Sequence, residues 1–463
     1  MTNTNTTILI NARIAKCQME KPSPRILYLP VETAARELDA KLLLSLYAVR
    51  EGFTVILGNR QLLNLRMHRM PHGIYLAHNV DKGRRRILRI IHQSGHRIAA
   101  WDEEGLVWLS PEAYLKRRIS KESMRHVSRF YAWGAEQAEA LRKGGVRTPI
   151  IETGNPRADL LRPPFRAAYE KRARALREKH GDFILINSNF GWLNYALGKR
   201  HENIDEHLRH VASLSGHPLN YLRNRWEVYQ AIRALAETLS REFAHRRIII
   251  RPHPSETPAA WQDLADRLEN VFVHYDDELI PWLLAADAII HNGCTTAVEA
   301  ALLGKTPISY EPETPAQMPP MAQPSAVSLR ARSEEEVCAI INGLIRHDAS
   351  SEAALARMVA GLEEDLPSAA RIAADLARLE PPATRKVARV MALVKGNLRN
   401  VEKKIVALRK KSSANPAYVR KKFPPISAEK IEARLRNLAS FADLAPPAVR
   451  ALSDRIFEIR RQT

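Results

Sequence analysis

The chain has 463 residues, 45% hydrophobic and 26% charged, with three cysteines and a formal charge of +20. This excludes a disulfide framework and a low-complexity chain, and no apolar run approaches the roughly 20 residues that span a bilayer. The charge is uneven: residues 384–463 hold 20 Lys and Arg against 6 Asp and Glu, a basic end that favours anionic partners.

In chain order, Met1–Thr7 is polar and lacks a basic-then-apolar leader pattern. With the scattered Cys17, Cys294 and Cys338, this leads us to expect a reducing, cytoplasmic location. Short β-rich runs then alternate with helical stretches. Strands are predicted at Arg25–Leu29, Phe53–Leu57, Gly73–Leu76, Arg97–Trp101, Phe130–Trp133 and Pro149–Glu152. Leu38, Leu42 and Leu46 share one helical face, and Gly52 reads as a helix stop. Such alternation predicts an α/β fold with a parallel sheet covered on both sides.

Arg162-Pro163-Pro164-Phe165 interrupts the pattern and reads as an interdomain linker. The alternation resumes with strands at Phe183–Asn187, Arg247–Ile250, Val271–His274, Ala288–Ile290 and Pro307–Tyr310. A polar excursion at His201–Pro218 and a long helix near Arg225–His245 separate the first two of these strands. Ser333 and Glu336 form a capping-box signature. The expected domains are 1–165, 166–350 and a basic helical extension, 351–463. Ligands should sit between the lobes, beyond the carboxyl ends of the strands.

Two strand exits in the second domain carry the chemistry. The run Ile248-Ile249-Ile250 leads into Arg251-Pro252-His253-Pro254-Ser255-Glu256. The two prolines fix the backbone around His253, which can donate to a phosphate leaving group, with Arg251 adding charge. A bare turn histidine is an equal alternative for this motif alone. The second exit is His291-Asn292-Gly293-Cys294-Thr295-Thr296, followed by Glu299 one helical turn on. A glycine turn into a helix N-terminus makes an anion site. There Asn292, Gly293, Thr295 and Thr296 would meet phosphate and Glu299 a ribose. A capped helix without ligand is the plain alternative.

Thr153-Gly154-Asn155-Pro156-Arg157, the His-Pro element and the Asn-Gly-Cys-Thr-Thr element together resemble the GT-B group. That group has two Rossmann-like domains facing a cleft. It includes nucleotide-sugar transferases, polyol-phosphate polymerases and UDP-sugar 2-epimerases. More narrowly, the chain resembles surface carbohydrate biosynthesis proteins from about Arg25 to Phe423. Glu103-Glu104-Gly105, His253-Pro254 and Thr295-Thr296 are similar, in chain order, to motifs of bacterial sialyltransferases and, less closely, Kdo transferases. The resemblance implies Glu103 as catalytic base, with Glu104 and Asp102 as substitutes. Threonines replace the usual serines, and Glu299 suits UDP-sugar enzymes equally, so the nucleotide base stays open.

Further candidates are Asn187 and Ser188 at a strand end, Lys82 beside Arg84–Arg86, and Asn155 and Arg157 at the domain crossover. Each reads equally as turn chemistry or a solvated face. His201, Glu202, His207 and His210 lack metal-ligand spacing. Neither a metal nor another cofactor is expected.

In the tail, Val387, Met391, Val394, Leu398, Val401, Ile405 and Leu408 form an apolar helical stripe among many Lys and Arg. Helix 385–411 would pack on the body, pair with another subunit, or lie on anionic lipid. A second helical pair is predicted at Ser427–Leu438 and Pro447–Arg460.

The expected function is an inverting, metal-independent glycosyltransferase of lipopolysaccharide or capsule synthesis. It would take a CMP-linked nonulosonate or Kdo-like donor and a lipid-linked or saccharide acceptor. The alternatives are a CDP-glycerol-type polyol-phosphate transferase, a UDP-sugar 2-epimerase-like enzyme, and a nucleic-acid-binding protein acting through the tail. Against the last, no RNA-binding signature is present.

Overall fold

The computed structural model describes residues 25–194, 203–275, 278–316, 318–344, 350–380, 386–407, 419–420 and 422–462. Cys17, His201, Glu202, Arg385, Leu408, Arg409, Lys410 and Lys421 lie outside them.

Buried aliphatic runs make two sheets. The first holds β1 (Arg25–Val31), β2 (Phe53–Asn59), β3 (Ile74–Ala77), β4 (Arg97–Ala100), β5 (Arg129–Ala132) and β6 (Ile150–Glu152), all parallel. The second holds β7 (Phe183–Asn187), β8 (Arg247–Arg251), β9 (Val271–Val273), β10 (Ala288–His291), β11 (Ile308–Tyr310) and β12 (Leu329–Ala331), also parallel. Every residue of β7 is buried, as a strand covered on both faces requires. The Ala34–Arg50 helix ends before Gly52, whose φ of +86° breaks the helical path. The long helix of the second lobe runs Leu219–Glu242, and Ile204–Ser215, read as a polar excursion, is itself helical behind an Asn203 cap.

Strand order fixes where a ligand can bind. The second sheet runs β9-β8-β7-β10-β11-β12, so the chain reverses direction across the sheet between β7 and β10. The parallel part of the first runs β2-β1-β3-β4-β5-β6, with the reversal between β1 and β3. At such points the flanking loops diverge and leave a crevice at the carboxyl ends of the strands. Two Rossmann-like lobes therefore stand as expected.

The last quarter departs from its expected form. Residues 447–460 are not helical: β13 (Ala448–Ser453) and β14 (Ile456–Arg460) make an antiparallel hairpin, and β14 pairs antiparallel with β2. Phe457 and Ile459 are fully buried against the first sheet. A strand's alternation, with Glu458 between them, placed both on one face, where a helix would have splayed them. Residues 351–463, expected as a basic helical extension, also send Ile372, Leu376, Phe423, Ile431 and Leu435 into the core that holds Leu27 and Val55. The chain thus crosses to the second lobe and returns to the first. Another apolar cluster joins the lobes, with Trp133, Ala158 and Leu161 from the first and Phe183, Trp282 and Val298 from the second.

Candidate functional site

On leaving β8 the chain turns through Pro252-His253-Pro254 around a buried carboxylate. Glu256 is fully buried. Its oxygens accept from the backbone amides of His253 at 3.0 Å and Phe190 at 2.9 Å. They also accept from Ser188 Oγ at 2.8 Å, Asn194 Nδ2 at 3.2 Å and Trp261 Nε1 at 3.1 Å. One side chain thereby ties the loop after β8 to the loop after β7. The sequence reading missed Glu256, although it stands in the same motif.

His253 Nδ1 accepts from the Ser255 amide at 3.2 Å and lies 2.7 Å from Ser255 Oγ. An accepting Nδ1 leaves the ring hydrogen on Nε2. Burial, then Arg36, lower the His253 pKa to about 4, with Glu104 opposing and Lys422 adding to the shift. The ring is therefore neutral at neutral pH, with its hydrogen on Nε2. The charged groups that shift it, Arg36, Glu104 and Lys422, belong to the first lobe and the returning C-terminal segment.

The second exit lies beside the first. His291 is fully buried, bonded through Nε2 to Ser328 Oγ at 2.8 Å and accepting the Gly293 amide at 3.0 Å. Gly293 has φ +83°, and a β-carbon there would meet Met321 at 3.2 Å. The Thr295–Leu302 helix begins behind Cys294, which makes no side-chain cap bond. Thr295 is half-buried and Thr296 buried at that N-terminus. Asn292 is 6% exposed, and among the described residues neither its Oδ1 nor its Nδ2 has a hydrogen-bond partner; nor does Nδ2 of buried Asn187. Arg225 clamps the two loops, donating to the carbonyls of Asn189 at 2.6 Å and Asn292 at 3.3 Å. Arg251 stacks over Trp282, its guanidinium carbon 5.1 Å from the ring centre.

In the first lobe the Asp102-Glu103-Glu104 turn follows β4. Asp102 is fully buried in a two-pronged pair with Arg118, and burial raises its pKa above the usual carboxylate range despite that partner. Glu103 is also buried, 2.9 Å from Lys41 Nζ and accepting from Trp101 Nε1 at 2.8 Å. Glu104 alone is exposed, 2.9 Å from Arg118. Partial desolvation opposes its ionisation, but Arg118 and Arg36 outweigh this, so the net shift is downward. Glu104 is thus the exposed carboxylate of this turn, while Glu103, expected as the base, is buried against Lys41. Arg36 forms no ion pair among the described residues.

The other candidates divide. Asn155 caps the short Pro156–Asp159 helix through the Arg157 amide at 3.0 Å. Arg157 donates to the Glu103 carbonyl at 3.1 Å and forms an ion pair with Glu299 of the second lobe. Glu299, expected on a ribose, is therefore engaged across the interface. Lys82 is exposed on the 3₁₀ turn Lys82–Arg84 and bonds to none of these groups among the described residues. His207 is buried and bonds to the Leu193 carbonyl at 2.9 Å, a structural role.

A further cluster was invisible in sequence. Glu32, just past β1, lies 3.1 Å from Arg60, 3.2 Å from His78 and 3.0 Å from Lys422. Burial opposes its ionisation, but the His78, Arg60 and Lys422 contacts overcome this and hold Glu32 well below the usual range. These groups come from the ends of β1, β2 and β3 and from the returning segment. They line the first lobe's reversal point.

No protein-family model and no curated protein matches the chain. Solved structures do. UDP-GlcNAc 2-epimerase of Methanocaldococcus jannaschii is similar at 13% identity and a TM-score of 0.48, over 76% of this chain and all of that one. The Neisseria meningitidis UDP-GlcNAc 2-epimerase is similar at 13% identity and 0.43, over 76% and 98%. The wall teichoic acid polymerase TagF is similar at 8% identity and 0.40, over 86% and 96%.

Proposed function

We propose that the crevice binds a nucleotide-activated sugar and transfers the sugar to an acceptor hydroxyl with inversion. One observation supports this reading: Arg157 ties the acidic turn of the first lobe to the Thr295–Leu302 helix of the second, donating to the Glu103 carbonyl at 3.1 Å and pairing with Glu299. Glu104, ionised at neutral pH, removes the acceptor proton. The acceptor oxygen bonds to the anomeric carbon as that carbon's bond to the phosphate oxygen breaks. The departing phosphate takes the electron pair. His253 Nε2–H donates to it, and the open N-terminus of the Thr295–Leu302 helix and its two threonines receive the rest of its charge.

The donor of this proposal is a CMP-linked acidic sugar such as a nonulosonate or Kdo. Arg36 and Lys422 both lower the His253 pKa, and a basic crevice suits a sugar carboxylate. The acceptor is a lipid-linked or saccharide hydroxyl of surface polysaccharide. A panel of CMP, CDP and UDP in thermal unfolding tests the nucleotide, with CMP expected to stabilise most. Glu104→Gln should lower CMP release in the presence of acceptor by roughly 100-fold or more at unchanged fold. Turnover at the wild-type rate in Glu104→Gln would remove the proposed base. Equal consumption of a nucleotide sugar with and without acceptor would replace transfer by an acceptor-free reaction.

A further inference from the structure

The Lys386–Ala407 helix lies on the first lobe with its face reversed from what its composition invites. Small and polar residues make the contact. Ala392 is fully buried, and a β-carbon on Gly396 would meet His68 at 2.4 Å. Asn397 Oδ1 accepts from Arg69 at 2.6 Å, Asn400 donates to the Leu65 carbonyl at 2.8 Å, and Glu402 pairs with Arg86. The apolar stripe therefore points outward. Eight of the fourteen large hydrophobic side chains exposed among the described residues stand on this helix. Val387, Met391, Val394, Leu398, Val401 and Ile405 are 46–74% exposed and fall within an arc of about 100° opposite the docked face.

We infer that this face lies in the surface of an anionic lipid bilayer. Charge chooses the occupant. Residues 386–407 carry six Lys and Arg against the single Glu402, which is already paired to Arg86. Lys386 and Lys395 flank the stripe on opposite sides. Two copies packed face to face would bring these cations together with no acid between them. A nucleic acid would satisfy the cations and leave the aliphatic arc in water. Anionic headgroups over acyl chains satisfy both, which is the amphipathy of a helix lying in the interface plane. No described helix is long and apolar enough to cross a membrane. The docked face holds the helix to the lobe, so binding requires no rearrangement of the body.

The test is co-sedimentation of the full chain with vesicles of phosphatidylcholine alone and of phosphatidylcholine with about a third phosphatidylglycerol. Binding is expected only to the anionic vesicles and should weaken as salt rises from about 0.1 to about 1 M. The double variant Val394→Glu, Leu398→Glu changes side chains that face solvent, so its unfolding curve should match the parent. It should bind anionic vesicles at least about tenfold more weakly. Lys386→Glu with Lys395→Glu should lose about tenfold as well. Absence of binding to anionic vesicles, or parental binding by the apolar double variant, overturns the inference. So does a dimer in light scattering that the apolar variant disperses, which would make a second copy the occupant. Binding of single-stranded RNA that removes the chain from vesicles equally in parent and apolar variant also overturns it.

Discussion

His253 was legible because two prolines and a preceding aliphatic strand place it at a rigid exit whatever the rest of the fold does. Glu256, three residues on, was not. Its role exists only because the fold brings Ser188, Phe190, Asn194 and Trp261 to it. A buried carboxylate with five donors tolerates no donor of its own. Glu256→Gln puts an NH2 where only acceptors fit, and should cost about 2–4 kcal/mol in urea unfolding. It should also lower turnover, because His253 loses its backbone tether. A stability within about 0.5 kcal/mol of the parent would show that the hub is not under load. The acidic tripeptide teaches the same lesson. Nothing local separates Glu103 from Glu104; the distinction comes from Lys41, on a helix far upstream. Lys41 Nζ lies 3.1 Å from Glu37 and 2.9 Å from Glu103, and all three are buried. Lys41→Met would strand two carboxylates without their cation, at a cost of about 3–5 kcal/mol measured by chemical unfolding.

Among the elements, the parallel strands β1–β11 were readable as short apolar runs between turn signals, and in central strands such as β7 burial on both faces leaves no room for polar alternation. The exceptions lie at or next to a sheet edge. β12 is three residues with an exposed arginine at its centre. β13 and β14 carry Arg450, Glu458 and Arg460 and read as charged helix behind Pro447. What fixes the hairpin is a contact remote in sequence: a β-carbon on Gly58 of β2 would lie 2.4 Å from the Arg455 carbonyl. Gly58 keeps an ordinary backbone, so the constraint is space alone. Gly58→Ala should push β14 off β2, costing about 1–3 kcal/mol. Backbone amides of Ile456–Ile459 should then exchange faster while those of β7 and β8 keep their protection. Uniform protection in both lobes would mean the hairpin contributes nothing local. By contrast, the Ser333 cap of the Glu334–Ile341 helix, accepting from the Glu336 amide at 3.3 Å, was fully local and fully legible.

For the whole molecule, charge told where the basic end begins but not that it folds back, because the residues that return it are scattered apolar positions among lysines. Acid should probe both lobes together. Burial lowers the pKa of His96 in the first lobe and of His291 in the second to about 4, and neither ring is exposed. In the unfolded chain both would titrate near 6.5. Between those values the unfolded chain binds protons that the folded one refuses, so stability rises with pH through the window and falls as pH drops through it. Each ring contributes a penalty on the order of 1–3 kcal/mol by the time pH reaches about 4. The depressed Glu32 carboxylate adds a loss that begins only below its unfolded range, near pH 4.5, and so does not confuse the upper part of the curve. The melting temperature at constant ionic strength should therefore hold near neutrality and fall by roughly 5 °C or more between about pH 7 and pH 5. His96→Gln, which keeps a donor for the Met67 carbonyl now 2.9 Å from Nε2, should flatten part of that slope at some cost in absolute stability. A melting temperature flat from neutrality to about pH 5 would mean that these rings take up protons in the folded state.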